Sequence, residues 1–445
     1  MTVTALPDSA LRQRADGATI TAFFVVALMI IPARMVLRGL PLSLTLADVI
    51  ALTLGLCWLL AHFSAGLSMA KGRSPVRTSV FVYLTAMLAT YGYATWGYLP
   101  ADELNLTDHA LVLILAHVGL ALLICDGVRG VDRLNLLLKV LVVMGAVVSV
   151  VGACQFILAW DPTRLLELPI LRYTSEDSFV LERSEFRRVA ATMGHPIEFG
   201  VVCAMLLPLA AHFGFRAREN GEPQWRWWTC AALIGAGLMF SVSRSAMLGI
   251  IGVGAILFFG WSAKQRKTVI LVSLGFLVAM RLLVPGLVSA IWGLFANFGS
   301  DDSIRYRLHD YAIAGHEITK HFWLGRGVST WYAPKHQVFD NQYILSTLEA
   351  GVIGVASIVA MFVVAMYSGL RARFLSADPA TRDLGLTLTA CLVVPLIGAA
   401  TFDLLSFATV TGLSFLLIGA AGSLLRSVRA ATNLRAGSPA DPPSV

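Results

Sequence analysis

Arginine is placed oddly in this chain. Arg164, Arg172, Arg183, Arg187, Arg188, Arg305, Arg307 and Arg326 fall in two long polar stretches of an otherwise apolar sequence. Arg244 lies in "SVSRSAML", between two apolar segments that nearly touch. A guanidinium binds phosphate bidentately and keeps its charge when partly desolvated. A charge between two closely spaced apolar segments is expected to face a cavity. These residues point to an anion site with Arg244 as its best candidate, and Arg187 and Arg188 as additions. The competing reading is solvated loop surface and contact with lipid headgroups.

A second constellation is "FDNQYILSTLEAGVIG", residues 339–354, whose polar start leads into a long apolar run. Asp340 can accept or orient the proton of a hydroxyl as a general base. It can equally cap the helix that begins there. Asn341 suits capping or a sugar hydroxyl. Glu349 suits a tie to a neighbouring helix or arginine, or a contact with substrate. Gly351 and Gly354 have the small-residue spacing of closely packed helices. His336, four residues before Asp340, is a second base candidate, with an ordinary structural role as the alternative. His309 and His316, seven apart, share a helix face without metal-site spacing. His195, in "GHPIEFG", is expected to shape a helix entry with Pro196 in the first turn. Tyr311 and the nearby tryptophans suit stacking on sugar rings, or the aromatic belt of a membrane interface. No metal-ligand cluster, Asp-x-Asp pair or cofactor motif is evident. The six cysteines lie in or beside apolar segments and read as small packing residues.

The elements that must position these residues are membrane helices. Of 445 residues, 57% are hydrophobic and 14% charged, and the mean hydropathy is +0.74; no soluble globular domain has that balance. Twelve apolar spans are expected, at about 18–33, 43–63, 78–97, 108–125, 136–159, 195–215, 227–241, 244–261, 268–285, 342–368, 384–401 and 405–425. An all-α polytopic membrane protein follows, with long loops at about 160–194 and 286–341, the second between spans nine and ten. "GLVSAIWGLFANFG" opens that second loop and is expected to lie along the interface. Lys and Arg crowd every short loop on one side, which is therefore expected to be cytoplasmic, with both termini there: a segment 1–17 at the start and a disordered tail 426–445 at the end. The long loops then face outward. The net charge of +7 is what cytoplasmic loops require and does not argue for nucleic acid.

Three segments, in this order and topology, resemble the O-antigen ligase and polymerase superfamily of bacterial membrane glycosyltransferases. They are "SVSRSAMLGI", "RYRLHDYAIAGHEITKHFWLGRG" with Arg307, Tyr311, Gly325 and Gly327, and the Asp340, Asn341, Ile344, Glu349, Gly351, Gly354 series. "RRVAATMGHPIEFG" is a weaker fourth. Asp340 stands where the ligases carry histidine, a start that is similar to the exopolysaccharide-polymerase branch. The resemblance implies transfer of a polyprenyl-diphosphate-linked oligosaccharide to a glycan hydroxyl. It implies inversion at the anomeric carbon, at the outer side of the cytoplasmic (inner) membrane; with no metal-ligand cluster evident, arginine rather than a metal is expected to help the leaving group. Arg244 and Arg307 would meet the diphosphate, helped by Arg188 and Arg187. A repeat-unit polymerase is the leading reading and a ligase the alternative. A lipid-linked glycan transporter or flippase is the reading from another class. Against it stand the long outer loop and the lack of an internal repeat.

Overall fold

The computed structural model describes residues 16–40, 42–63, 72–166, 168–174, 181–183, 186–296, 311, 313–333 and 335–437. Its helices are α1 Gly17–Ile30, α2 Leu46–Phe63, α3 Pro75–Trp96, α4 Ala101–Gly127, α5 Val131–Ile157, α6 Pro196–Glu219, α7 Trp225–Phe240, α8 Arg244–Gly260, α9 Ala263–Leu283, α10 Leu287–Ala296, α11 Gln342–Leu375, α12 Pro379–Gly398 and α13 Ala408–Gly437. Their starts carry the expected chemistry. Ser74, Ser243, Ser262 and Asp378 each accept a backbone N–H of the first turn, and proline opens α3, α6 and α12.

A helix stands at each of the twelve expected positions. Seven of the helices are long and apolar enough to cross a bilayer, or eight if α9 and α10, bent by 110°, form one span. α1, α7 and α8 fall short with 14, 16 and 17 residues, because a hydrocarbon core of about 30 Å needs about 20 helical residues. Among the described residues, length and composition thus support seven or eight of the twelve expected crossings. The fold is all-α as expected, with two short antiparallel ribbons outside the helices: Met35–Leu37 (β1) pairs with Leu171–Tyr173 (β2), and Leu181–Arg183 (β3) with Phe186–Arg188 (β4). The expected disordered tail is helical as far as Gly437. It is tied down where Arg426 donates to the carbonyls of Asp126 and Val128.

α13, α6 and α4 form the centre, with 94%, 89% and 78% of their apolar windows buried, whereas α2 has 28%. α9 is peripheral, with Met280 its one buried residue. Apolar groups gain nothing by leaving hydrocarbon, so close packing decides association in such a bundle. The cysteines are free, three of them buried as expected, while Cys57 is exposed and Cys154 and Cys230 are half-buried.

α11 is not continuous. Gly351 has φ 67°, ψ −174° in its interior. Val352 and Ile353 donate their N–H groups to the carbonyls of Phe322 (3.0 Å) and Trp323 (3.3 Å). The carbonyls of Leu348 and Glu349 accept from Arg326 (3.1 Å) and Gly327 (2.9 Å). These four groups would pair with one another across an unbroken turn. The segment 322–327 is inserted between the two halves and satisfies both. Glu349 Oε1 adds a bond from the backbone N–H of Trp331 at 3.3 Å. Gly351 thus serves a loop insertion, not the helix–helix contact expected from its spacing. Gly354, by contrast, faces Met87 of α3, whose Cε would lie 3.2 Å from an added Cβ.

An added Cβ at Gly351 would lie 2.2 Å from the Trp323 carbonyl oxygen, and its left-handed φ costs an L-residue about 1–2 kcal/mol. Gly351→Ala is expected to lower stability by about 3 kcal/mol or more once the inserted bonds are strained. Gly275→Ala, with open space around it, should be tolerated. Thermal unfolding of both variants in detergent checks this.

Candidate functional site

The starts of α6, α8, α11 and α13 gather around one turn, residues 399–407, between α12 and α13. Gln342 at the head of α11 donates its N–H to the carbonyls of Ala399 (2.8 Å) and Phe402 (3.2 Å), and its Oε1 accepts from Leu405 N–H at 2.7 Å. Asn341 Nδ2 donates to the Ala400 carbonyl at 3.3 Å. At the head of α8, Ser245 Oγ accepts from Thr401 Oγ1 at 2.8 Å. At the head of α6, the His195 ring lies 5.8 Å from that of Phe407. Glu198 closes the circle: it is fully buried, with Oε1 accepting from Thr409 N–H (2.6 Å) and Oε2 from Gly194 N–H (2.8 Å). Each helix start carries about half a positive charge, so their meeting favours an anion.

Arg244 is the first residue of α8 and is half-buried. The turn before it is strained: Val242 has φ 44°, unusual for a β-branched residue. Arg188 is buried and reaches the same turn, its Nε donating to the Ser241 carbonyl at 3.3 Å. Arg187, its neighbour on β4, is exposed. His195 caps α6 by accepting the Ile197 N–H on Nδ1 at 3.1 Å. Burial and then the Arg188 charge bring its pKa down to about 4, so the ring is neutral at ordinary pH. Arg307 lies outside the described residues. Tyr311 is exposed on a helical stretch.

The helix cap at the head of α11 is Asn341, not Asp340. Asn341 Oδ1 accepts from Tyr343 N–H at 3.0 Å and Ile344 N–H at 3.3 Å. Asp340 is exposed just outside. It is close enough for its charge to act on Asp403, whose pKa is raised by burial first, with the Asp340 carboxylate adding and a Ser406 hydrogen bond offsetting. Asp403 lies in the central turn and escaped the sequence reading. Its signal was available: a lone carboxylate in "TFDLLSF", between two apolar runs.

His336 belongs to a different cluster. Its ring stacks on Trp331 at 4.3 Å, and its Nε2 accepts from Arg326 Nη1 at 3.2 Å. Arg326 also pairs with Glu103 of α4 at 2.9 Å, and Lys335 joins Glu103 at 2.5 Å and Asp102 at 3.2 Å. Burial and the Arg326 charge lower the His336 pKa. With Nε2 occupied, proton transfer here would have to use Nδ1. Glu349 holds the backbone of this same loop.

A cavity of about 340 Å³ lies between α3, α4, α11 and α13. Tyr83, Met87, Ile114, Ile358 and Phe415 give it apolar walls, His109, His117 and Glu349 add polar ones, and Gln342 of α11 and Leu405 of the central turn reach it.

Residues 229–359 match the family described as O-antigen ligase. The matched segment contains Arg244, Asp340, Asn341, Glu349 and the glycines of the α11 break. It excludes Arg187, Arg188, His195 and Asp403. No curated protein matches the chain.

The Asp403 pKa gives a test of the carboxylate pair. A raised folded-state pKa means that ionising Asp403 costs the native state. The cost is absent below the ordinary aspartate range and complete above the raised value. Asp403→Asn should therefore increase the melting temperature at pH 8, with the gain shrinking toward pH 4. Asp340→Asn should give a smaller gain of the same sign, since its charge is the lesser cause. Melting curves across this pH range read both.

Proposed function

We propose that this chain, which carries an O-antigen ligase family segment, moves a polyprenyl-diphosphate-linked glycan onto a sugar hydroxyl outside the cytoplasmic membrane. The acceptor oxygen attacks the anomeric carbon from the face opposite the diphosphate. Its proton passes to the Asp340 carboxylate as the bond from the anomeric carbon to the phosphate oxygen breaks, so the configuration inverts. The electron pair leaves with the polyprenyl diphosphate. Arg244, and Arg307 with it, meets the charge that builds there. Arg188 supports Arg244 through the shared turn. The observation that supports this reading is one turn where four helix starts meet, bonded to Ser245, next to Arg244, and to Asn341, next to Asp340. Helix dipoles and a cation suit the leaving group, and a carboxylate suits the acceptor proton. The apolar wall of Tyr83, Met87, Ile114, Ile358 and Phe415 in the cavity beside Gln342 and Leu405 supports a place for the prenyl chain.

Repeat-unit polymerisation is the preferred form of this reaction, because Asp340 occupies the position where ligases carry histidine. The ligase reading is kept because the matching family is described by that name. The two differ in the glycans of a strain lacking this protein. Loss of long chains with single repeats still attached indicates polymerisation, and loss of all attached glycan indicates ligation.

The chemistry is tested by turnover on lipid-linked repeat units with purified protein in lipid. Arg244→Ala should lose about 10²–10³-fold in rate, as for removal of a preorganised charge donor. Arg244→Lys should remain impaired, because it keeps the charge without the fork. Asp340→Asn should lose about 10²–10⁴-fold with folding intact, since Asn341 supplies the cap. Wild-type turnover by Asp340→Asn would move the proton acceptor to Asp403 or His336. Wild-type turnover by Arg244→Ala would remove the diphosphate from this site.

A further inference from the structure

At the far end of α6 lies a basic cavity that the proposed reaction does not use. α6 runs 24 residues from its His195 cap to Glu219, about 36 Å at 1.5 Å per residue. A cavity of about 480 Å³ opens there, lined by Arg216, Arg218, Lys264, Arg373 and Arg382. The carboxylates in its wall are Glu219 and Asp383. Asp383 is already engaged on both oxygens: Oδ2 with His212 Nδ1 at 2.5 Å and Oδ1 with Trp261 Nε1 at 3.1 Å. Arg373 donates to the Gly260 carbonyl at 2.6 Å. Arg216, Arg218, Lys264 and Arg382 form no ion pair with any described residue. His212 is 1% exposed and lines the cavity, and its Nε2 has no hydrogen-bond partner among the described residues. The starts of α9 and α13's neighbour α12 face the same space through Ser262 and Pro379, and helix starts favour anions.

We infer that this cavity binds a phosphate-bearing anion. Five cations line the cavity against the two carboxylates Glu219 and Asp383, and this excess of positive charge, gathered by separate helix ends, favours an anion among them. A phosphate can take several guanidinium forks at once. The surroundings suit the phosphate of an anionic phospholipid. Thr268 lines the cavity, and the next turns of α9 present Ile270, Leu271 and Leu274 at 57%, 58% and 58% exposure. Acyl chains can lie along that surface while the headgroup enters the basic cavity. A basic pocket between membrane helices is a recurrent headgroup site. A soluble phosphate offers the same chemistry without the chains, and the test separates the two.

The full chain is purified in detergent and stripped of lipid. It is then titrated with phosphatidylglycerol or with sodium phosphate, with native mass spectrometry and melting temperature as readouts. Arg216→Gln with Arg382→Gln is the test pair. Lys267→Gln with Arg371→Gln, two exposed cations outside the cavity, is the charge-matched control. Wild-type and control proteins should retain phosphatidylglycerol, and the test pair should bind it roughly tenfold more weakly or worse. A response to sodium phosphate alone, lost in the test pair, would assign the site to a soluble phosphate. An equal response from all three proteins, or none from any, would overturn the site. Should the test pair fail to fold, Arg218→Gln with Lys264→Gln carries the same expectation, since both side chains are exposed.

Discussion

A backbone that leaves the helix at membrane depth must find new partners for its N–H and C=O groups, because hydrocarbon offers none. The break in α11 at Gly351 meets that demand with the backbone of 322–327. Phe322 and Trp323 accept from the second half, and Arg326 and Gly327 donate to the first. This exchange fixes where the first half of α11 points. It therefore fixes where Asn341 caps it and where Asp340 stands. It also fixes the loop that carries Trp331, Lys335 and His336, which Glu103 of α4 then holds from the other side.

The turn between α12 and α13 gathers the helix starts. Alone it is a short apolar connection. In the fold it touches the heads of α8 and α11 through Thr401 and Gln342. Glu198 locks the start of α13 to the approach of α6. Positive helix ends and Arg244 therefore meet around a turn whose own side chain, Asp403, is acidic. The proposed transfer from a diphosphate calls for both signs of charge, since its leaving group and its acceptor proton have opposite demands.

Charge is also sorted along the helices. At one end, Arg188 and Arg244 adjoin strained or irregular backbone. At the other, arginines are either consumed by structure or left in a cavity. Arg77 pairs with Asp126 at 3.2 Å and Arg133 with Asp16 at 2.6 Å, whereas Arg216 and Arg382 have no such partner among the described residues. The same residue type thus does different work at different depths, according to what lies within reach.

Composition and apolar periodicity alone determined that this is a helical membrane protein. Hydrocarbon restricts the backbone to few solutions, and helix entries are local: Pro196 marks the start of α6 in the sequence. The likeness of the Arg244 and Asp340 segments to a glycosyltransferase family was legible for the same reason, since the matched stretch is continuous. Three things were not local and were decided by tertiary structure. Asn341 rather than Asp340 became the cap, because cap geometry depends on where the chain enters the helix. Gly351 marked an insertion rather than a packing face, because the partner backbone lies some 25 residues away in sequence. Asp403 joined Asp340 because α12 and α13 return their connecting turn to the head of α11, and a contact between distant segments leaves no periodic trace in either of them.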